Sequence, residues 1–306
     1  MGAPKPLVPV IVGPTAVGKT AVALALAQHW PLVVISADSR QVYRRLDIGT
    51  AKPTAAECAR VEHLGIDLIE PGERYSAGRF AADAAGWLSA IEPERQPAVV
   101  GGTGFYIRAL ADGLFNEPAM SADKRAELRA WAAEAEGLGR WAARLDADYT
   151  AGGRQRATRA VEVALLTGRS LSWWQRHAKA EGVMRPWFVR LTVPRQILHR
   201  RIEARTEAML QQGLVEEVRT LLDEGIPADA PGLDAVGYRE VVAHIEGELA
   251  AADLPEAITI ATRRYAKRQE TWFRHQLADP VLALDATDAP ETVARRIVES
   301  WAERER

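Results

Sequence analysis

Residues 13–20 read Gly13-Pro14-Thr15-Ala16-Val17-Gly18-Lys19-Thr20 and satisfy the phosphate-binding loop pattern GxxxxGK[ST] at every fixed position. The flanks constrain the chain as much as the motif does. An apolar run over 7–12 precedes the loop and an Ala-rich helical run over 19–28 follows it, so the loop turns a strand into a helix. In that setting successive backbone N–H groups and a helix N-terminus face one centre and bind an anion at little desolvation cost. Gly13, Pro14, Thr15, Ala16, Val17 and Gly18 form the cradle, Lys19 is expected to reach terminal phosphate oxygens, and Thr20 to offer its hydroxyl to Mg²⁺. The loop does not name the phosphate compound, because kinases, GTPases and several transferases share it.

The alternation continues. Segments 32–35, 65–69 and 97–100 read as buried parallel strands, separated by helical stretches such as 76–91. This is the grammar of an α/β fold, a P-loop NTPase-like parallel sheet. After Leu114 the texture changes. Segments 121–145 and 155–174 are helical, rich in Ala, Arg and Trp, with no strand between them. A strand returns at 188–193, followed by helical segments 195–224, 238–250 and 254–276, while the charged tail 299–306 reads as a fraying helix end. The expected organisation is a core of residues 1–115 and 184–306 with an all-helical domain, 116–183, inserted into it.

In an open α/β sheet the carboxyl ends of the strands line the ligand crevice. The second strand runs into Ser36-Ala37-Asp38-Ser39-Arg40-Gln41, which puts a carboxylate, a hydroxyl and an amide beside the phosphate loop. Asp38 also suits a helix N-cap. Gly101-Gly102-Thr103-Gly104 follows the strand 97–100 and points at the same crevice. Its glycines let backbone approach a ligand, or make a tight turn with none, and Thr103 is the side chain among them able to donate a hydrogen bond. Arg205, on the helix after the returning strand, is placed to swing over a phosphate as a multi-donor clamp; taken singly it also reads as a solvated helix charge.

The 306 residues carry 39 Lys and Arg against 41 Asp and Glu, a net charge of -2, so any polyanion site is local. Two segments supply one. Across 151–180, Arg154, Arg156, Arg159, Arg169, Arg176 and Lys179 face Glu162 alone, with Arg156 and Arg159 sharing a helix face and Ala157, Val161, Ala164 and Leu165 forming an apolar stripe. Across 263–274, Arg263, Arg264, Lys267, Arg268 and Arg274 interleave with Tyr265, Trp272 and Phe273. Phosphate contacts with stacking surfaces suit loop RNA, whereas a solvated basic helix face is the plainer alternative. Cys58 is the single cysteine, which excludes an intramolecular disulfide and a thiolate metal cluster and fits the cytoplasm. No segment reaches the roughly 18 apolar residues of a membrane span.

At this point the chain resembles the bacterial tRNA dimethylallyltransferases. The resemblance is carried by residues 13–20, by Asp38-Ser39-Arg40-Gln41-Val42-Tyr43 running into Asp47-Ile48-Gly49-Thr50-Ala51-Lys52-Pro53, and by Gly101-Gly102-Thr103-Gly104-Phe105-Tyr106. It continues in Arg159-Ala160-Val161-Glu162, Val236-Gly237-Tyr238-Arg239 and Lys267-Arg268-Gln269-Glu270-Thr271-Trp272. It implies that the loop holds dimethylallyl diphosphate with Mg²⁺ near Thr20, and that the exocyclic amine of an adenine beside the tRNA anticodon attacks the allylic carbon. Asp38 would then take the amine proton, Thr103 bond the bridging oxygen of the leaving group, and Lys19 and Arg205 neutralise the diphosphate. By the same resemblance Asp38, Ser39, Arg40, Gln41, Gln155, Arg156, Arg159, Tyr238, Arg239, Lys267, Arg268 and Arg274 are expected to meet the anticodon stem-loop; a monomer is the default expectation, which the sequence itself leaves open. The chain departs from the family pattern at Gly152-Gly153, where Asn-Asp is usual, and at Arg45, where a small residue is customary. Two rivals stay open: a P-loop small-molecule or nucleoside kinase using ATP, with Asp38 activating a hydroxyl, and an RNA-binding NTPase without transfer chemistry.

Overall fold

The computed structural model describes residues 5–115, 120–150, 152–178, 180–278 and 280–304. The chain divides into two compact units, Met1–Ala111 with Val183–Arg306, and Asp112–Gly182. In the first part of the chain β1 (Leu7–Val12), α1 (Lys19–Leu26), β2 (Leu32–Ser36), α2 (Ala55–Arg60), β3 (Glu62–Leu64), α3 (Ala77–Ala90), β4 (Gln96–Gly101) and α4 (Gly104–Asp112) alternate. The smaller unit holds α5 (Ala122–Glu134), α6 (Leu138–Leu145), α7 (Arg154–Thr167) and α8 (Leu171–His177). The larger unit then resumes with β5 (Arg185–Thr192), α9 (Arg195–Gln211), α10 (Leu214–Asp223), α11 (Tyr238–Ile245), α12 (Leu254–Gln276), β6 (Val281–Asp285) and α13 (Pro290–Arg304).

The six strands form one parallel sheet in the order β3-β2-β4-β1-β5-β6. β1 is central, with Val10 opposite Val99 of β4 and Phe188 of β5. Helices cover such a sheet on both faces, so its strands read as unbroken apolar runs, and Val8, Val10, Ile11 and Val12 are fully buried. The chain leaves β1 for β2 on one side and later places β5 on the other. The carboxyl end of β1 therefore opens at a topological switch point.

Local chemistry moved several boundaries. The third strand lies at Glu62–Leu64, not at 65–69, because Gly65 (φ +85) and Asp67 (φ 53) are left-handed and break the extended chain; Ile69 keeps one bridge to Tyr43. The long helices expected over 121–145, 155–174 and 195–224 each divide near a left-handed glycine, Gly137, Gly168 and Gly213. The tail is not frayed through its length. α13 runs to Arg304 and packs Trp301, 6 % exposed, against Trp30 and Trp187, while 305–306 lie outside the described residues. The smaller unit has a modest core, centred on Ala132, Leu138, Ala142, Ala157, Ala160 and Val161. Leu165, expected in the apolar stripe of α7, points outward at 52 % exposure.

Two glycines test how tightly the larger unit is packed. A Cβ on Gly101 would lie 2.2 Å from the Ala37 carbonyl oxygen, whereas one on Gly86, mid-helix in α3, meets nothing. Gly101→Ala is expected to cost about 1–3 kcal/mol. Gly86→Ala is expected to add about 0.5–1 kcal/mol. Urea unfolding of both variants reads the opposite signs.

Candidate active site

Three polar turns leave the carboxyl ends of neighbouring strands: 13–18 after β1, 37–43 after β2 and 101–104 after β4. The phosphate loop is held from several sides. Lys19 arches across it, its Nζ donating to the Gly13 and Pro14 carbonyls at 2.9 Å each. Arg201 on α9 donates to the Val17 carbonyl at 2.8 Å and to the Ala286 carbonyl at 2.9 Å. Thr15 is a node, its N–H donating to Gln269 Oε1 at 2.8 Å and its hydroxyl accepting from Arg205 at 3.1 Å. Ala16 sits at φ 63, a left-handed position that a non-glycine residue holds only under external restraint.

The second turn uses Asp38 to cap itself. Its Oδ1 accepts from the Arg40 N–H at 2.9 Å, and no helix follows before α2, which Thr54 caps, so the helix N-cap reading of Asp38 falls away. The Thr103 hydroxyl accepts from the Ser39 N–H at 2.9 Å and donates to the Ser39 hydroxyl at 3.3 Å, joining the second and third turns. Gln41 spends its amide inside the turn, accepting from Ser36 at 2.8 Å and donating to the Thr50 and Ala51 carbonyls at 3.3 and 3.2 Å. Burial pulls the Lys19 pKa down to about 8, with Asp38 opposing and Arg205 reinforcing the shift. Arg205 is likewise lowered by burial and partly restored by Asp38. One carboxylate therefore stands within electrostatic reach of both cations.

Of these groups Thr15, Asp38, Arg40 and Arg205 border a cavity of about 240 Å³. Asp38, Arg40, Arg205, Asp234, Arg239 and Arg268 supply its charge, and Ile202, Met209, Val236 and Ile258 its apolar wall. Tyr265, unassigned by the sequence reading, also lines it, with burial and the nearby Asp38 pushing its phenol up to about 12. Among the described residues no group of three acidic, His or Cys side chains converges to hold a metal. Thr20 at the start of α1 offers one hydroxyl, which fits an ion held mostly by phosphate oxygens.

Several expectations need correction. Tyr238 is fully buried, its hydroxyl donating to Glu217 at 2.6 Å and accepting from the Gly49 N–H at 3.1 Å, so it supports residues 47–49 and offers no surface to RNA. The glycines of the third turn make room for protein: a Cβ on Gly102 would strike Gln269 Nε2 at 2.2 Å, and one on Gly104 the Trp272 ring at 2.4 Å. Among the aromatics of 263–274, Phe273 is 2 % exposed and offers no stacking platform, while half-buried Trp272 packs edge-on against it at 5.3 Å and Tyr265 lines the cavity. Lys267, Arg268 and Arg274 do face outward from α12, with Arg268 also 5.7 Å over the Tyr265 ring. Arg45 bridges Glu70 at 3.0 Å and also pairs with Glu224.

In the smaller unit most of the basic segment is spent internally. Arg154 binds the Ala132, Ala133 and Ala135 carbonyls at the end of α5, Arg176 pairs with Asp148, and Arg169 lies 5.1 Å over Trp173. Arg159 pairs at 2.6 Å with Glu162, which is 1 % exposed and also takes Arg125 and Arg129. Gln155 and Arg156 are exposed at the start of α7, where the Arg156 N–H donates to the Gly153 carbonyl at 3.0 Å. Gly153 caps α7 without a side-chain bond, a loss of only a few tenths of a kcal/mol against a polar cap. Lys179 lies outside the described residues.

A phosphate loop leaving the central strand of a parallel sheet, flanked by Asp38 and Thr103 on the next two turns, places the fold in the P-loop class of α/β proteins. The IPP transferase family model matches residues 41–276. A curated relative, the tRNA dimethylallyltransferase of Halorhodospira halophila, is 46% identical over 276 residues, covering 87% of this chain and 89% of the relative. That of Geobacter metallireducens is 43% identical over 274 residues, covering 87% and 88%. The solved tRNA isopentenylpyrophosphate transferase of Bacillus halodurans superimposes with a TM-score of 0.72 at 33% identity, covering 98% of both chains. A eukaryotic dimethylallyltransferase acting on tRNA shares the fold, with a TM-score of 0.82 at 24% identity over 98% of this chain and 80% of that one. This chain belongs to the IPP transferase family. Nothing among these relatives favours the kinase reading.

The lowered Lys19 pKa gives a pH test. An anion in the loop favours protonated Lys19, so above pH 8 binding must first recruit a proton. Inorganic pyrophosphate affinity is expected to fall as pH rises beyond 8, by up to about tenfold per unit. Calorimetric titration across pH 7–10 checks this, and Lys19→Met should flatten the profile.

Proposed function

We propose that this chain is a tRNA dimethylallyltransferase. It moves the dimethylallyl group of dimethylallyl diphosphate onto the exocyclic N6 amine of the adenine that follows the tRNA anticodon on its 3′ side, and releases diphosphate. The observation that carries the reading is that Asp38 stands within electrostatic reach of both the Lys19 and Arg205 cations, while Thr103 is bonded to Ser39 beside it. Family membership supplies the substrate class.

The residues divide the work by charge. An aromatic amine is a weak nucleophile, so the allylic C–O bond must be well advanced in breaking before the C–N bond forms. Negative charge then collects on the departing diphosphate, and fixed donors aimed at it lower the barrier. The loop N–H groups other than those of Thr15 and Val17, which are bonded within the protein, are those donors, together with Lys19 and Arg205. Thr103 turns its hydroxyl from Ser39 to the bridging oxygen. Asp38 accepts the proton that the attacking amine loses, so the C–O electron pair leaves with diphosphate and the amine proton ends on the carboxylate. A magnesium ion held by the Thr20 hydroxyl and the diphosphate oxygens would supply further neutralisation of the leaving group. The adenine must be turned out of its stack to enter a cavity of this size. Ser39, Arg40, Gln41, Arg239, Lys267, Arg268 and Arg274 in the larger unit, and Gln155, Arg156 and Arg159 in the smaller, are the candidates for holding the anticodon stem-loop. We assign the enzyme to the cytoplasm as a monomer; no described helix is long and apolar enough to cross a membrane.

Labelled dimethylallyl diphosphate incubated with an unmodified anticodon stem-loop and Mg²⁺ should label the adenine substrate and not one carrying guanine at that position. Phosphate transfer or ATP hydrolysis in its place would sink the reading. Thr103→Ala should lower kcat by about 10²-fold or more, leaving RNA affinity unchanged. Arg268→Ala and Arg156→Ala should each weaken RNA binding and reduce its salt slope by about 1. Filter binding at several salt concentrations measures both effects.

A further inference from the structure

Gln269 is 6 % exposed on the inner face of α12, in register with buried Ala266 and Phe273. A buried primary amide is retained only when its polar atoms are used. Here Oε1 accepts from the Thr15 N–H at 2.8 Å, and Nε2 donates to the Gly102 carbonyl at 2.9 Å. The two residues it grips are informative. Thr15 carries the hydroxyl that receives Arg205, and Gly102 immediately precedes Thr103. One side chain thus spans the phosphate loop and the third turn, with no room to spare, since a Cβ on Gly102 would lie 2.2 Å from Nε2.

We propose that Gln269 is a positioning residue for the transfer reaction. It fixes the spacing between the end of the crevice that holds the diphosphate and the hydroxyl assigned to the bridging oxygen. The inference rests on the prenyl-transfer reading and deepens it. An amide suits the task because the brace needs an acceptor at one end and a donor at the other, a combination that neither Glu nor Lys provides at neutral pH. Without the brace the phosphate loop still has Lys19 and Arg201, so binding should survive better than turnover. Misplacement of a reacting group by about 1 Å costs on the order of 10²-fold in rate.

The test is a double-mutant cycle on the full chain with Gln269→Met, which keeps the volume and removes both bonds, and Gly102→Ala, which pushes the amide aside. Each variant is assayed for kcat and KM with dimethylallyl diphosphate, for inorganic pyrophosphate affinity, for stem-loop affinity and for hydrogen exchange at the Thr15 amide. The expected result is a kcat loss of ten- to a hundredfold in each single variant, and no greater loss in the double variant. KM and pyrophosphate affinity should move by less than about fivefold, RNA affinity should hold, and the Thr15 amide should exchange faster. Unchanged kcat with a lower melting temperature would make Gln269 a structural brace alone and overturn the proposal. So would losses that multiply in the double variant, because independent effects add in free energy. If Gln269→Met fails to fold, Gly102→Ala carries the same readouts. Should the wild-type chain transfer no prenyl group, the prenyl-transfer reading fails. The pyrophosphate and exchange measurements still report separately whether Gln269 orders the loop.

Discussion

A backbone loop can offer its N–H groups to an anion only if something other than those N–H groups holds its shape. Here the restraint comes from side chains, three of them outside the motif and one, Lys19, within it. Arg201 takes the Val17 carbonyl, Gln269 takes the Thr15 N–H, Arg205 takes the Thr15 hydroxyl, and Lys19 spans the Gly13 and Pro14 carbonyls. These bonds oppose the left-handed strain at Ala16 and keep the cradle open toward the crevice. The placement of Asp38 and Thr103 depends on the same framework, because their turns spring from strands registered against β1 or against its neighbour β4.

The phosphate loop and the first two strands were legible because their constraints are local: glycines at fixed positions, and apolar runs that only a doubly covered sheet can bury. The crevice followed from topology. What escaped was each decision made by a distant partner. Nothing in the composition of α12 separates Gln269 from its polar neighbours except its place on the Ala266 and Phe273 stripe, and that signal could have been read. Tyr238 illustrates the reverse error: its motif marked it as a surface contact, while Glu217 and Gly49 draw it wholly inside.

Charge was the least legible property. The segment 151–180 reads as a basic surface because a sequence shows the sign of a side chain and not its partner. In the fold, Arg154 closes the carbonyl end of α5, Arg176 meets Asp148, and Glu162 gathers Arg125, Arg129 and Arg159. A carboxylate so deeply buried is tolerable only when paired. These arginines therefore assemble a small unit whose apolar core is largely alanine, and a separate, smaller set faces outward.

The distances along the chain between the loop and its braces have a temporal meaning. Arg201 lies 184 residues beyond Val17, and Gln269 lies 254 beyond Thr15. At translation rates of roughly 5–20 residues per second, the motif is made roughly ten to fifty seconds before the side chain that steadies it. The central strand also waits for β5 to close its second edge. A nascent or truncated chain can thus carry the complete octapeptide without its organised phosphate cradle, and gains that cradle only as the last helices fold into place.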